Sequence, residues 1–139
     1  MQDTPSHPEL RFPADILQRA SPRGNEYAWK RADLPRVLAA AEAAGLANLG
    51  GQVQFRAPAG TCELYWHSFE SLPRRSEESA ESFVRRSRRE VETVLLRVPS
   101  DAELTADALA HFELLREQAA AGADVEEMLC FVCYFAVPD

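Results

Sequence analysis

Hydrophobic and polar side chains alternate along the middle of the chain. One face of the first segment carries Leu49, Gly51, Val53 and Phe55. The opposite face carries Gln52, Gln54 and Arg56. This period of two is typical of a strand with one buried face and one face in water. A short connector with Pro58 and Gly60 leads into a second β-prone segment, so the pattern predicts a β-hairpin over 47–69.

The second segment, 61–69, carries large side chains on both faces. One face has Cys62, Leu64 and Trp66, and the other has Glu63, Tyr65, His67 and Phe69. Such a strand is either central in a sheet or lines a binding surface, and the pattern leaves both possibilities open. Because Trp66 shares a face with Leu64, core packing is the first interpretation of its ring, and an interface anchor is the alternative.

Three segments show the 3.6-residue hydrophobic period of helices. The first covers 33–44, with Asp33 as its expected N-cap and Gly45 as the residue that ends it. The second covers about 76–98 and has glutamates in its first turns, where they suit the helix dipole. The third covers 101–121, and five of its residues are in phase: Leu104, Ala108, Phe112, Leu115 and Ala119.

The segment 128–137 contains ten apolar or aromatic residues without alternation. It is therefore predicted to be a strand buried on both faces and paired with the hairpin. Together these elements predict one α+β domain over 1–139, in which a small antiparallel sheet is packed on one face by about three helices. Residues 1–9 are polar and proline-containing, and we expect them to be flexible.

Composition narrows the class of protein. A chain of 139 residues with 46% hydrophobic and 27% charged residues suits one globular domain. No apolar run approaches the roughly 20 residues that span a bilayer, and the polar N-terminus does not resemble a signal peptide, so we expect a cytoplasmic protein. Three cysteines, an odd number, argue against a disulfide framework.

The negative charge is concentrated at the C-terminal end of the chain. Residues 1–98 hold 13 acidic and 14 basic side chains, whereas residues 99–139 hold nine acidic side chains and only Arg116 as a base. Such a surface would repel phosphates, so nucleic acid is not an expected ligand. A basic protein partner is the better expectation, and a solvated helix face that aids solubility is the alternative.

The sequence contains few candidate catalytic residues. The pair Cys130 and Cys133 has CxxC spacing but lies inside an apolar run, where core packing is expected. Glu63, Tyr65 and His67 share a face that could do acid–base work, but they lack an oriented nucleophile, a phosphate-binding loop or a metal-ligand set. No catalytic, metal or cofactor site is therefore expected. The arginines within 85–89 have glutamates one turn away and are interpreted as a solvated face.

Several sequence features follow one another between residues 25 and 98. An alanine–aromatic lead at 26–29 precedes a capped helix, and Leu-Gly-Gly-Gln-Val-Gln-Phe stands at 49–55. Trp66 follows on the second strand, and Glu-Ser-Phe-Val-Arg-Arg-Ser stands at 81–87. This order resembles the immunity protein 40 family of bacterial polymorphic toxin systems. Its members are small cytoplasmic proteins, each thought to bind and neutralise a partner toxin.

The chain departs from the family's pattern at three places. Gln52 stands where the pattern has an aspartate, Phe55 stands near the expected tyrosine, and the acidic segment 99–139 lies outside the pattern. The resemblance implies a non-enzymatic protein that occludes a cognate toxin. A small enzyme or a structural module that uses the His67 face is the alternative.

Occlusion of a toxin needs aromatic anchors and complementary charge. The hairpin and the acidic segment supply both, and a basic toxin such as a nuclease would suit the charge. No membrane partner is expected, and the oligomeric state is left open. The expected partner-binding residues are Tyr65, His67, Phe69, Glu113, Glu117, Asp124 and Glu126.

Overall fold

The structure, a computed structural model, describes residues 8–24 and 26–139. Within them, five antiparallel strands form a single sheet in the order β1-β2-β5-β3-β4. The strands are β1 Ser21–Arg23, β2 Glu26–Trp29, β3 Ala47–Ala57, β4 Gly60–Glu70 and β5 Leu129–Ala136. The predicted hairpin and C-terminal strand are confirmed, and β5 pairs with β3. The short strands β1 and β2 were not predicted.

Helices complete the predicted α+β fold. They are α1 Ala14–Arg19, α2 Leu34–Ala43, α3 Ala80–Leu95, α4 Asp101–His111 and α5 Glu113–Ala120. Short 3-10 turns lie at Pro8–Arg11, Arg31–Asp33 and Val125–Met128. None of the helices in the described residues has the length and apolar character needed to cross a membrane.

The main core lies between the helices and one face of the sheet. Val53 and Phe55 of β3 are fully buried, as their alternation predicted, and they pair with Phe131 and Leu129 of β5. Helices α2, α3, α4 and α5 supply the opposing layer, through buried residues that include Val37, Leu38, Val91, Leu104 and Leu115. Strand β3 therefore runs through the centre of the protein, with β5 on one side and β4 on the other.

The other face of β3 was expected to meet water, and that prediction is wrong. Gln54 and Arg56 are 3% and 9% exposed. The reason is the β1–β2 hairpin, which folds across this face. Arg56 donates a hydrogen bond to the backbone oxygen of Ser21, and Arg23 donates to the Thr61 hydroxyl at 2.7 Å. Strand β1 thus contacts β3 through Arg56 and β4 through Thr61, although it is adjacent to neither strand in the sheet.

Two glycines set the register of the sheet. A Cβ on Gly51 would lie 1.7 Å from the backbone oxygen of Val132. Gly50 has φ +105°, and a Cβ there would lie 2.0 Å from the backbone oxygen of Phe69. The β3–β5 register shifts beside Gly50. As a result Leu49, which was predicted to be buried, bulges outward and is 39% exposed.

Strand β4 contains a large bulge. Leu64 pairs with Val53 and Phe69 pairs with Gly51, so four residues of β4 lie opposite one residue of β3. The alternation of β4 therefore breaks after Leu64. Phe69 points into the core, where it is fully buried and its ring lies 6.1 Å from that of Phe131. Its predicted role as an exposed partner-binding residue is wrong.

The predicted third helix, 101–121, is two helices. Phe112 has φ −121° and ψ 112°, an extended conformation that separates α4 from α5. The side chain of Arg116 folds back at this break and donates to the backbone oxygen of Leu109 at 2.8 Å. Beyond the break the helical phase changes, and Ala119, which was predicted to face inward, is exposed.

Helix α3 carries a buried arginine that the sequence analysis placed in water. Arg86 is 8% exposed because the loop before α3 folds over it. It binds Glu78 at 2.6 and 2.7 Å and Glu90 at 2.8 Å, and it donates to the backbone oxygens of Leu72 and Pro73. The hydrogen bonds from Arg86 are the main reason why the pKa of Glu78 falls to about 2.

The helix ends agree only partly with the sequence analysis. Gly45 has φ +75° and ends α2 as predicted. Asp33 does not cap α2 with its side chain, which instead binds Arg19 at 3.1 Å. Helix α3 begins at Ala80, later than expected, because the Ser79 hydroxyl accepts the hydrogen bond that caps it.

The N-terminal segment that was predicted to be flexible is shorter than residues 1–9. Residues 1–7 and Asn25 lie outside the described residues, so the expectation for most of 1–9 is untested. Glu9, however, sits in a 3-10 turn and is 8% exposed, so the predicted tail does not extend to it.

Replacing Gly51 with alanine should destabilise the protein by about 3 kcal/mol, the upper end of the cost of overpacking a core. The added Cβ would collide with the backbone oxygen of Val132, which cannot move without disturbing the β3–β5 pairing. The measurement is urea-induced unfolding. Gly60→Ala is the matched control, because a Cβ there meets only the end of the Leu114 side chain at 3.9 Å. Equal stability of the two variants would contradict the close approach.

Replacing Glu78 with glutamine should lower stability at neutral pH, and the deficit should shrink in acid. Because the folded-state pKa of Glu78 lies below the ordinary value of 4.5, the ion pair contributes fully above about pH 4.5. Its contribution is lost as pH falls through about 2. Unfolding free energies measured between pH 7 and pH 2 test this, with exposed Glu77→Gln as the control. A deficit that does not change with pH would argue against the ion pair.

Candidate binding surface

The bulge of β4 brings two neighbouring side chains to one carboxylate of α4. Trp66 donates its indole N–H to Oδ2 of Asp107 at 2.7 Å, and Nε2 of His67 lies 2.9 Å from the same oxygen. Consecutive residues of a regular strand point to opposite faces. The bulge removes that restriction, so both Trp66 and His67 can reach Asp107.

A second imidazole approaches Asp107 from its own helix. Nδ1 of His111 lies 2.9 Å from the backbone oxygen of Asp107 and 3.2 Å from its Oδ1. The hydrogen bond from Trp66, assisted by His67, holds the pKa of Asp107 below its usual value. Asp107 is therefore ionised at neutral pH, and its Oδ2 is bound by both Trp66 and His67. We call Asp107, Trp66, His67 and His111 the Asp107 cluster.

Aromatic rings extend from this cluster to the surface. Tyr65 is 72% exposed and Trp66 is 39% exposed, and their rings pack edge to face at 5.0 Å. On its other side Trp66 stacks with Phe112 at 6.3 Å and packs against the His111 ring at 4.8 Å. The extended conformation of Phe112, which ends α4, is what places its ring beside β4. We call Tyr65, Trp66 and Phe112 the aromatic edge.

The predicted acid–base face of the hairpin does not form a unit. Glu63 accepts a hydrogen bond from the Gln54 amide at 2.7 Å, whereas His67 is bound to Asp107. Tyr65 points to solvent, as expected for a partner-binding residue. His67 is partly buried, with 22% of its side chain exposed, so it offers a partner less surface than expected.

Fewer acidic side chains contribute to the predicted negative field than the count of acidic residues indicated. Asp101 binds Arg31 at 2.6 Å, and Asp107 belongs to the cluster described above. The remaining partner-binding candidates are exposed: Glu113, Glu117, Asp124 and Glu126. Phe112, which directly precedes α5, stacks on Trp66, so the first turn of α5 lies beside the aromatic edge.

Sequence reasoning missed the two residues that organise this surface, Asp107 and Phe112. Asp107 was counted among the acidic residues of 99–139, and Phe112 was placed in phase with the apolar residues of one continuous helix. The spacing of Asp107 and His111, four residues apart, is the one visible signal, since it places a carboxylate and an imidazole on the same helical face. Their contact with Trp66 depends on the bulge of β4, which no periodicity reveals.

The cysteines are placed as expected for core residues. Cys130 and Cys133 are both buried and unpaired, and they lie on opposite faces of β5, in separate apolar clusters. Burial raises the pKa of both thiols, so neither is a ready thiolate nucleophile. Among the described residues, no group of three or more histidine, cysteine or carboxylate side chains is placed to hold a metal ion.

Four surface pockets have volumes of about 290 to 560 Å³. They are open to solvent and are lined mainly by residues of α2, α3 and the loop before α3. None of these four includes a residue of the aromatic edge or the Asp107 cluster. The exposed rings of the hairpin therefore line none of these four pockets.

Comparison with known proteins identifies no relative of this chain. The sequence matches no family model and no curated protein at a significant level, and the fold matches no solved structure.

Replacing Asp107 with alanine should remove the acceptor of the Trp66 indole hydrogen bond. The free energy of unfolding should fall by about 2 kcal/mol, the size of a lost hydrogen bond to a charged group. The indole N–H resonance of Trp66 should move upfield and exchange faster with solvent. The fully buried Trp29, which donates to the backbone oxygen of Ile16 at 2.9 Å, serves as an internal reference. Exposed Asp124→Ala is the control variant, and an unchanged Trp66 resonance in Asp107→Ala would refute the contact.

Proposed function

We propose that the protein is a non-enzymatic immunity protein that binds a cognate bacterial toxin and neutralises it by occlusion. The resemblance over residues 25–98 suggests this class. The observation that carries the proposal is the aromatic edge, in which Tyr65 and Trp66 are exposed on an edge strand and held in a fixed arrangement.

Fixed orientation is what makes these rings suitable anchors. The indole N–H of Trp66 is satisfied by Asp107, and its ring is supported by Phe112 and His111. A side chain that is already ordered loses little entropy when a partner binds. Tryptophan and tyrosine are also the residues that most often dominate the energy of protein interfaces.

The edge strand favours recognition through side chains. Strand β4 pairs only with β3 in the described sheet, so its other edge has no strand partner there. An open edge can pair with a strand of another chain, but a bulge interrupts the regular spacing that such pairing requires. The bulge at 65–68 therefore disfavours strand addition and leaves the exposed rings as the main points of contact.

Charge supports a basic partner. Glu113 and Glu117 are exposed on α5 beside the aromatic edge, and Asp124 and Glu126 add to the negative field. A field of this kind accelerates the encounter with a positively charged protein, and salt weakens it because the screening length is about 8 Å at physiological ionic strength. We infer that the acidic residues govern association and that the rings govern dissociation.

An acid–base enzyme that uses the Glu63, Tyr65 and His67 face has less support. The structure gives Glu63 and His67 different partners, and Tyr65 has no hydrogen-bond partner among the described residues. His67 is bound to the carboxylate of Asp107, but no hydroxyl or thiol nucleophile of residues 8–24 or 26–139 contacts this pair. A module with a purely structural role would not need Tyr65 to remain exposed.

The direct test is co-expression with candidate toxins, beginning with any toxin gene found next to the gene for this protein. The proposal predicts a stoichiometric complex that survives purification and cells that survive the toxin. A purified pair that does not associate, together with cells that die at the rate seen without the protein, would reject the function.

Two variants should distinguish the residues that govern dissociation of that complex from those that govern its association. Tyr65→Ala should speed dissociation by about 30-fold, the effect of removing a 2 kcal/mol hot spot. Glu113→Lys combined with Glu117→Lys should slow association, most clearly at low salt, with little change in dissociation. Stopped-flow and surface-binding kinetics measure both rates.

Leu96→Ala is the matched control, because Leu96 is 86% exposed beyond the end of α3. It should change neither rate. Association of the double lysine variant at the wild-type rate in low salt would show that the acidic residues are only a solvated face.

A further inference from the structure

Helices α4 and α5 are separated by a break that the local sequence does not explain. The segment 101–120, which spans both helices, contains neither glycine nor proline. Alanine, leucine, glutamate, glutamine and arginine, which are among the best helix formers, make up most of it. No side chain caps the start of α5. Intrinsic preference therefore favours an unbroken helix, and other contacts must hold the break at Phe112.

Arg116 supplies the hydrogen bonds that the break removes. In an unbroken helix, the backbone oxygens of Leu109 and Ala110 would accept from the N–H groups four positions later along the chain. At the break, Nη1 of Arg116 donates to these two oxygens instead, at 2.8 and 3.3 Å. A side chain of the second helix thus caps the end of the first.

The charge of Arg116 also suits this position. Arg116 is the only lysine or arginine within 99–139, yet it forms no ion pair with residues 8–24 or 26–139. Its guanidinium lies at the C-terminal end of α4, where the helix dipole favours a positive charge. Hydrogen bonds from a charged donor are also stronger than those from a neutral one. The side chain therefore stabilises the broken arrangement rather than pairing with the acidic residues around it.

The break decides where the ring of Phe112 lies. Phe112 has φ −121° and ψ 112°, and its ring stacks on Trp66 at 6.3 Å. In an unbroken helix Phe112 would share a face with Ala108 and Leu115, which are both fully buried. The backbone turn that presents its ring to β4 would be lost, and Trp66 would lose a ring that supports it.

We propose that Arg116 is a positioning residue of the binding surface. By capping α4 it keeps Phe112 extended, and Phe112 then supports Trp66 in the orientation that a partner meets. Arg116 acts through Phe112 rather than through a contact with the partner. The proposal rests on the proposed binding function, and it adds the residue of α5 that sets how long the partner stays bound.

The first test uses the protein alone and follows Phe112 by NMR. Arg116→Met keeps an unbranched side chain but removes its donors and its charge. The ¹³Cα shift of Phe112 should move from the extended towards the helical range, and the NOEs between the rings of Phe112 and Trp66 should weaken. Arg97→Met is the matched control, because Arg97 is an exposed arginine outside α4 and α5. It should leave both signals unchanged.

Glu113→Pro should restore the break in the absence of the arginine. Proline has no N–H group for the Leu109 oxygen, it restricts the preceding Phe112 to extended conformations, and the first position of a helix accepts it. Glu113→Pro combined with Arg116→Met should therefore recover the wild-type shift of Phe112 and its NOEs to Trp66. Glu113→Gln combined with Arg116→Met removes the same charges but keeps the N–H group, so it should not recover them.

The second test measures dissociation of a toxin complex. Arg116→Met should speed dissociation by about tenfold, near the lower end for a lost hydrogen bond to a charged group. Glu113→Pro combined with Arg116→Met should dissociate at close to the wild-type rate. Only dissociation is compared, because Glu113 also contributes to the field that governs association.

Two results would overturn the role of Arg116 in the break. One is unchanged NMR signals in Arg116→Met, and the other is a recovery with Glu113→Gln as complete as with Glu113→Pro. Fast dissociation that Glu113→Pro does not correct would mean that Arg116 contacts the partner directly, and it would overturn the positioning role.

The NMR results do not depend on a toxin, so the two proposals can fail separately. If the signals change as expected but no toxin associates, the binding function is rejected and the link between Arg116 and Phe112 stands. If a complex forms and Arg116→Met leaves its dissociation unchanged, the positioning role is rejected and the binding function stands.

Discussion

The close approach of three strands at Gly50 and Gly51 is the constraint on which the rest of the structure depends. A side chain at either position would collide with the backbone of a neighbouring strand, Val132 on one side and Phe69 on the other. Both neighbours of β3 shift register at this pair. The glycines therefore determine where the regular pairing of the central strand stops.

The aromatic edge is a consequence of that interruption. With Phe69 fixed opposite Gly51 and Leu64 opposite Val53, β4 must accommodate its extra residues as a bulge. The bulge turns Trp66 and His67 towards α4, where Asp107 binds both. Packing of the core and display of the aromatic edge are thus two results of the same register, so a change at Gly51 would affect both stability and the arrangement of the aromatic edge.

Periodicity and capping rules were sufficient for the parts of the fold that rest on local patterns. They located the hairpin, the C-terminal strand, the helix that ends at Gly45 and the buried residues Val53 and Phe55. They failed where a distant segment decides the environment. Gln54 and Arg56 have the alternation of a solvated face, yet a hairpin from the N-terminal part of the chain covers them.

The candidate site shows the same division between local and distant causes. Exposure of Tyr65 agrees with the expectation that this residue contacts a partner, one of the two possibilities that the pattern of the strand left open. The burial of Phe69 does not, since it depends on three extra residues in β4 that shift the alternation. Likewise, the hydrophobic period of 101–121 is continuous across Phe112, but the chain breaks there, and the ring of Phe112 packs on Trp66.

The account depends most on the claim that the bulged strand is the surface that meets the partner. Hydrogen–deuterium exchange of the protein, alone and saturated with a toxin that forms a complex with it, tests that claim most directly. The account predicts that binding slows exchange at 61–67 and at 107–117, while α2 and the second half of α3 exchange as before. Protection confined to α2 and α3, with β4 exchanging at its unbound rate, would contradict it.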